Sequence, residues 1–197
     1  MIKAIVFDFF GVLVTEGFRQ FRETHFVDDK QKERQSISLI NQVDSGLIST
    51  AEFSSRLAQL AGITIEEMHE QLGNNKPNRP LLDYIRSELL GKYKLGILSN
   101  SSENYPERLL EKEDIDMFDD VLLSYRYGIV KPQPEIYKMA AHRLRVSPSQ
   151  ALFIDDSLGH CQGAERAGMK AIAYQDFAQL KKDLENSLSL DSTSAND

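Results

Sequence analysis

The stretch Ile2-Lys3-Ala4-Ile5-Val6-Phe7-Asp8-Phe9-Phe10-Gly11-Val12-Leu13 opens on an apolar run that breaks at a carboxylate. A short run without polar alternation reads as a strand buried on both faces, and the charge that follows belongs to the strand's end. Four further runs share this character: Leu95 to Leu98, Val121 to Leu123, Ala151 to Ile154, and Ala171 to Tyr174. Between the last four lie segments of helical period, such as Ile136, Ala140, Ala141 and Leu144, so strands and helices alternate. The pattern predicts an α/β fold built on a doubly wound parallel sheet.

Thr15 to Gly91 carries helix signals and no strand signal, and is predicted to be a helical insertion. Ser49 with Glu52 and Thr64 with Glu67 have capping-box spacing, in which each side chain satisfies a backbone donor at the other's position. After Ser49, the residues Phe53, Leu57, Leu60 and Ala61 fall on one helix face, and Gly62 supplies a stop. The turn-rich segment from Gly73 to Pro80 leads back to the core through a return helix, Leu81 to Leu90. The expected organisation is a core of residues 1–14 and 92–186, an insertion of 15–91, and a polar, Ser-rich, frayed tail of 187–197. Asp44-Ser45-Gly46 hints at a calcium loop, but the ligand series and closing Glu are missing, so it reads as a turn.

The chain has 197 residues, 41% of them hydrophobic and 27% charged, which suits one globular domain with an insertion. A formal net charge of −7 argues against nucleic acid as a partner. The opening run is too short for a secretion signal or a membrane span, so a cytoplasmic protein with no membrane partner is expected. Cys161 is the only cysteine, which excludes an internal disulfide and any multi-cysteine metal site. No feature specifies an oligomeric state.

The chemistry-bearing residues gather at the predicted strand ends: Asp8 after the first, Ser99 and Asn100 after the second, Asp155 and Asp156 after the fourth. Open parallel sheets bind their ligands at those carboxyl ends. Lys131 stands in a turn set by Pro132 and Pro134. Three carboxylates drawn to one point repel unless a cation joins them, and magnesium, which takes one or two carboxylates plus phosphate, fits best.

These residues resemble the four motifs of the haloacid dehalogenase superfamily. Phe7-Asp8-Phe9-Phe10-Gly11-Val12-Leu13 is similar to the first, Leu98-Ser99-Asn100 to the second, Val130-Lys131-Pro132 with Glu135-Ile136-Tyr137 to the third, and Phe153-Ile154-Asp155-Asp156-Ser157 to the fourth. The insertion resembles the small helical cap of one large branch. The resemblance implies that Asp8 is a nucleophile forming an aspartyl-phosphate. It further implies that Ser99 and the Asn100 amide hold phosphoryl oxygens, and that Lys131 neutralises charge and orients Asp8. Asp156 would bind Mg²⁺ with Asp8 and the Phe10 carbonyl, while Asp155 orients Lys131 or a metal-bound water, the last two roles being exchangeable. The substrate would be a small phosphorylated metabolite.

One position departs from the pattern. Phosphatases of this family carry a second Asp two residues after the nucleophile as general acid and base, and here Phe10 stands there. Losing that help removes a factor of about 10²–10⁴ in rate, or roughly 3–5 kcal/mol. Three readings follow. The first is a phosphatase or phosphotransferase limited to good leaving groups, such as acyl phosphates, or taking its acid from the cap. The second is a 2-haloacid dehalogenase, whose halide needs no proton and whose family often has an aromatic residue at this position. The third is a weakly catalytic domain that binds a phosphorylated ligand or a partner. His160 is expected to be a solvated or supporting residue, and Phe18, Phe21 and Phe26, near the cap entrance, to pack in a core, with substrate contact as the alternative.

Overall fold

A computed structural model describes residues 1–193. At its centre β1 (Ala4–Phe7), β2 (Lys94–Ser99), β3 (Asp120–Leu123), β4 (Ala151–Asp155) and β5 (Lys170–Ala173) form one parallel sheet in the order β3-β2-β1-β4-β5. Around it lie α1 (Gly17–His25), α2 (Lys30–Asp44), α3 (Thr50–Ala61), α4 (Ile65–Leu72), α5 (Arg79–Tyr84), α6 (Tyr105–Leu109), α7 (Lys112–Ile115), α8 (Pro134–Arg143), α9 (Leu158–Arg166) and α10 (Phe177–Thr193). The expected doubly wound α/β sheet is present, and every apolar run named above falls on one of its strands.

Ile5 and Phe7 face one layer with Ile97, Leu152 and Ile154, against Leu81 and Leu82 of α5 and Leu180 and Leu184 of α10. Ala4 and Val6 face the other with Leu98 and Phe153, against Ile136 and Ala140 of α8 and Ala164 of α9. The period of two is hidden in the sequence because both faces are covered. Phe7 pairs with Ile97 on β2 and Ile154 on β4, so Asp8 emerges level with Asp155 and one residue short of Ser99. The strand order reverses between β1 and β4, and a crevice opens at such a switch point.

The helices α1 to α4 carry an apolar cluster of their own, including Phe21, Phe26, Leu39, Leu57 and Met68. Two linkers join them to the sheet as a ribbon: Thr15 N–H donates to the Lys76 carbonyl at 2.9 Å and Asn78 N–H to that of Leu13 at 2.8 Å. A second fastening is a single hydroxyl. Ser124 Oγ, in the turn after β3, accepts Ser101 N–H at 3.0 Å and donates to the Asp44 carbonyl at 2.8 Å, tying the end of α2 to the core.

The capping signals are realised unequally. Thr64 and Glu67 form the complete reciprocal box. At α3 only half forms, because Ser49 Oγ accepts Glu52 N–H at 3.1 Å while the Glu52 carboxylate turns to Arg56 at 2.6 Å. Gly62 ends α3 at φ +74°, a conformation that costs glycine nothing. The return helix is α-helical only to Tyr84, and Ile85–Leu89 continue as a wider π turn that keeps Ile85 and Leu89 both in the core. At the other end, α10 runs into the expected frayed tail as far as Thr193, with Leu188 packed on the core; residues 194–197 lie outside the described residues. Among the described residues, no helix is long and apolar enough to cross a membrane.

Candidate active site

Asp8 continues the ladder beyond β1, its N–H donating to the Ile154 carbonyl at 2.8 Å, and the residue is only 7% exposed. Oδ1 accepts from the Phe9 amide at 2.6 Å and lies 2.6 Å from the Lys131 ammonium. Lys131 donates onward to Asp155 Oδ2 at 2.7 Å, and Asp155 is fully buried. His160 Nδ1, in the first turn of α9, sits 3.1 Å from both Asp155 oxygens, and Ser157 N–H donates to Oδ1 at 2.8 Å. Asn100 holds the lysine's own backbone: its Oδ1 accepts Lys131 N–H at 2.8 Å and its Nδ2 donates to the Lys131 carbonyl at 3.0 Å.

Charge explains the protonation states. Burial works against an ionised Asp155, yet Lys131 and His160 outweigh it and hold that carboxyl well below the usual range. For Asp8, burial first and the neighbouring Asp155 charge second push the carboxyl well above its usual range, with Lys131 opposing. The ammonium is buried too, but Asp155 and Asp8 keep it firmly protonated. One lysine therefore serves two buried carboxylates.

Above this chain of contacts lies a cavity of about 400 Å³, a size suited to a small metabolite. Its floor includes Asp8, Asn100, Lys131 and Asp156, and its roof comes from α1 and α2.

Residues 2–168 match the model of the haloacid dehalogenase-like hydrolase family. The chain belongs to the haloacid dehalogenase-like hydrolases. It is 30% identical to a D-ribitol-5-phosphate phosphatase of Bacteroides thetaiotaomicron over 201 residues, 93% of this chain and 97% of the relative. A HAD family enzyme of the same organism, crystallised with magnesium and inorganic phosphate, superposes with a TM-score of 0.65 at 26% identity, covering 91% of this chain and 99% of that one. An L-2-haloacid dehalogenase of Xanthobacter autotrophicus, with chloropropionic acid covalently bound, shares the fold at a TM-score of 0.66 and 20% identity, covering 94% and 83% of the two chains. As a member of this family the protein is an enzyme of the hydrolase class.

Within this hydrolase the residues singled out by sequence separate into groups. Asp8, Lys131 and Asp155 form one contiguous chain of contacts, as described. Phe10 lines the cavity with its ring edge-on to Tyr105, centroids 5.3 Å apart. Ser99 is fully buried, its hydroxyl donating to the Asn100 carbonyl at 3.3 Å, and it does not line the cavity. Ser101 does, and its buried Oγ has no partner among the described residues.

Asp156 lies across the floor, paired with Arg19 of α1, whose Nε also meets Glu16 at 2.7 Å. Gly11 has φ +84°, and a β-carbon there would collide with the Asp156 carboxylate. The missing side chain lets Asp156 press on the backbone that follows Asp8. Two carboxylates beside that backbone, Asp8 and Asp156, are hard oxygen donors of the kind magnesium prefers. A tighter group among the described residues, Asp8, Asp155 and His160 with ligand atoms within 4.8 Å, already encloses the Lys131 ammonium.

His160 was expected to be a solvated or supporting residue, and it contacts Asp155 at the cavity edge. Two other cavity residues gave no functional signal in the sequence. Arg19 carried no motif. Asp44 was read only as part of a turn; the turn is there, but the side chain, 8% exposed, lines the cavity roof. Phe21 and Phe26 pack in the helical cluster as expected, while Phe18 also lines the cavity.

Proposed function

We propose that this hydrolase is a magnesium-dependent phosphatase of small phosphorylated metabolites, working through an aspartyl-phosphate on Asp8. The observation that carries the reading is the Asp8–Lys131–Asp155 chain at the cavity floor. A carboxylate held by an ammonium and a backbone amide is aimed before substrate arrives, so little reorganisation is needed at the transition state. Lys131 neutralises phosphoryl charge and Asp155 positions Lys131, its own oxygens being taken by Lys131, His160 and Ser157. Asp156, Asp8 and the Phe10 carbonyl would hold Mg²⁺, which supplies further positive charge to the phosphoryl group. The similarity to a phosphatase of a sugar-alcohol phosphate supports this substrate class. Ser101 and the Asn100 backbone, which line the cavity, are the candidates for phosphoryl contacts in place of Ser99, whose buried hydroxyl faces the Asn100 carbonyl.

A second reading, 2-haloacid dehalogenase, draws on Phe10, because halide leaves without a proton. The Asp155–Asp156 pair weighs against it, since halide displacement from carbon needs neither a phosphoryl-binding cation nor the carboxylates that would hold one.

p-Nitrophenyl phosphate, whose leaving group needs no proton, tests the proposal directly. Magnesium-dependent phosphate release is expected, with Asp8→Asn reduced to background and a phosphoryl adduct on Asp8 in acid-quenched mass spectra of the wild type. Chloride release from 2-chloropropionate in EDTA, without phosphate release, would establish the dehalogenase instead. Phosphate binding with neither activity would leave a ligand-binding domain.

A further inference from the structure

Asp44 closes α2, and its carboxyl makes no hydrogen bond or ion pair among the described residues, although it is nearly buried. A buried carboxyl without a partner is costly, and any apolar residue of similar size would fill the space without that penalty. Its placement is nevertheless controlled. Ser124 Oγ binds the Asp44 carbonyl and the Ser101 amide at once, so a cap residue and the loop after β2 are located by the same atom. Ser101, with its own unpartnered hydroxyl, and Phe10 line the same cavity.

We propose that Asp44 is the general acid and base of the reaction, reaching from the cap to do the work that Phe10 cannot do. The inference rests on the phosphatase reading above. In the first step Asp8 attacks phosphorus and the bond to the ester oxygen breaks; its electron pair stays on that oxygen, which takes the proton of neutral Asp44 and leaves as the alcohol. In the second, the Asp44 carboxylate removes a proton from water as the water oxygen bonds to phosphorus. The Asp8–phosphorus bond then breaks, returning the Asp8 carboxylate, inorganic phosphate and protonated Asp44.

The surroundings suit a group that must hold and release a proton near neutrality. Burial pushes the Asp44 carboxyl up to about 7, with Lys131 opposing. Other charges near α2 are spent on one another: Glu52 with Arg56 on α3, and Arg19 with Glu16 and Asp156 across the cavity. Arg22 is paired with Glu33, Arg126 with the Tyr125 hydroxyl, and His160 with Asp155. Tyr105, whose hydroxyl titrates far higher, is a further titratable neighbour.

The test is a leaving-group series of nearly constant shape, p-nitrophenyl, phenyl and benzyl phosphate, with wild type, Asp44→Asn and Asp44→Asn/Phe10→Asp. Asparagine matches the neutral carboxyl in shape and cannot give up a proton. For Asp44→Asn, kcat/KM on p-nitrophenyl phosphate should stay within about threefold, while phenyl and benzyl phosphate fall by about 10²–10³. The basic limb of the wild-type pH profile on phenyl phosphate, near pH 7, should vanish. Adding Phe10→Asp should restore much of the loss. Equal losses across the series, or none, would overturn the assignment while leaving the phosphatase intact. Absence of wild-type turnover on p-nitrophenyl phosphate would bring down both. Loss that tracks lowered thermal stability, without a change in leaving-group dependence, would also overturn it.

Discussion

On the floor of the cavity every buried charge has a partner within 2.7 Å: Asp8 and Asp155 share Lys131. On the roof, Asp44 is nearly as buried and has none among the described residues, while Arg19 is half-exposed and reaches down to Asp156. Charge that is paired in the resting protein fixes geometry: Lys131 is held protonated and Asp155 ionised, and both position Asp8. Charge left unpaired changes state at little structural cost. On the proposed mechanism the two surfaces would divide the labour, the sheet edge aiming Asp8 and the helical insertion supplying a proton from Asp44.

The largest effect should come from removing the floor's one ammonium. Lys131→Met leaves two carboxylates buried without a counter-ion, and such one-sided breaks cost about 3–5 kcal/mol. Urea unfolding at neutral pH should show a loss of that order together with loss of turnover, and part of the stability should return in Lys131→Met/Asp155→Asn. A loss below about 1 kcal/mol, the worth of an ordinary surface pair, would erase the distinction between floor and roof.

The roof makes the opposite prediction. Asp44 has a folded-state pKa of about 7, above the value of about 3.9 for an unfolded Asp, so between those pH values the folded protein binds more protons than the unfolded one. Its burial therefore subtracts stability as pH rises from 4 to 7, fully so above 7. Asp44→Asn removes that penalty. The variant should exceed wild type at pH 8 by up to roughly 4 kcal/mol, at about 1.4 kcal/mol per pH unit of separation, and match it at pH 4. A pH-independent difference would mean that Asp44 carries no buried charge.

The same contrast explains what the sequence disclosed. Asp8 and Asp155 were legible because a parallel sheet places ligands at strand ends, visible as breaks in apolar runs, and Lys131 because two prolines set the turn that holds it. Asp44 was illegible because Asp-Ser-Gly has a sufficient local meaning, a turn, and its wider meaning depends on a hydroxyl 80 positions away. His160 is similar, since only the start of α9 turns its ring towards Asp155. The choice between Ser99 and Ser101 depends on where the chain leaves β2, a boundary finer than hydrophobic patterning resolves.

The smallest effect on stability, and the finest probe of how roof meets floor, is Arg19→Ala. The Arg19 side chain is 47% exposed, and pairs of that kind contribute about 0–1 kcal/mol, so thermal and urea midpoints should barely move. The consequence lies in ligand binding. Its guanidinium occupies an oxygen of Asp156 that the proposed magnesium site needs, so a cation entering beside Asp8 must first release it. Calorimetric titration with Mg²⁺ alone should therefore give tighter binding in Arg19→Ala, by about three- to tenfold, the equivalent of roughly 1 kcal/mol. Unchanged affinity would mean that the pair and the cation occupy different faces of Asp156. Weaker affinity would mean that Arg19 holds Asp156 in the orientation the metal requires, and would make the roof a builder of the floor instead of its competitor.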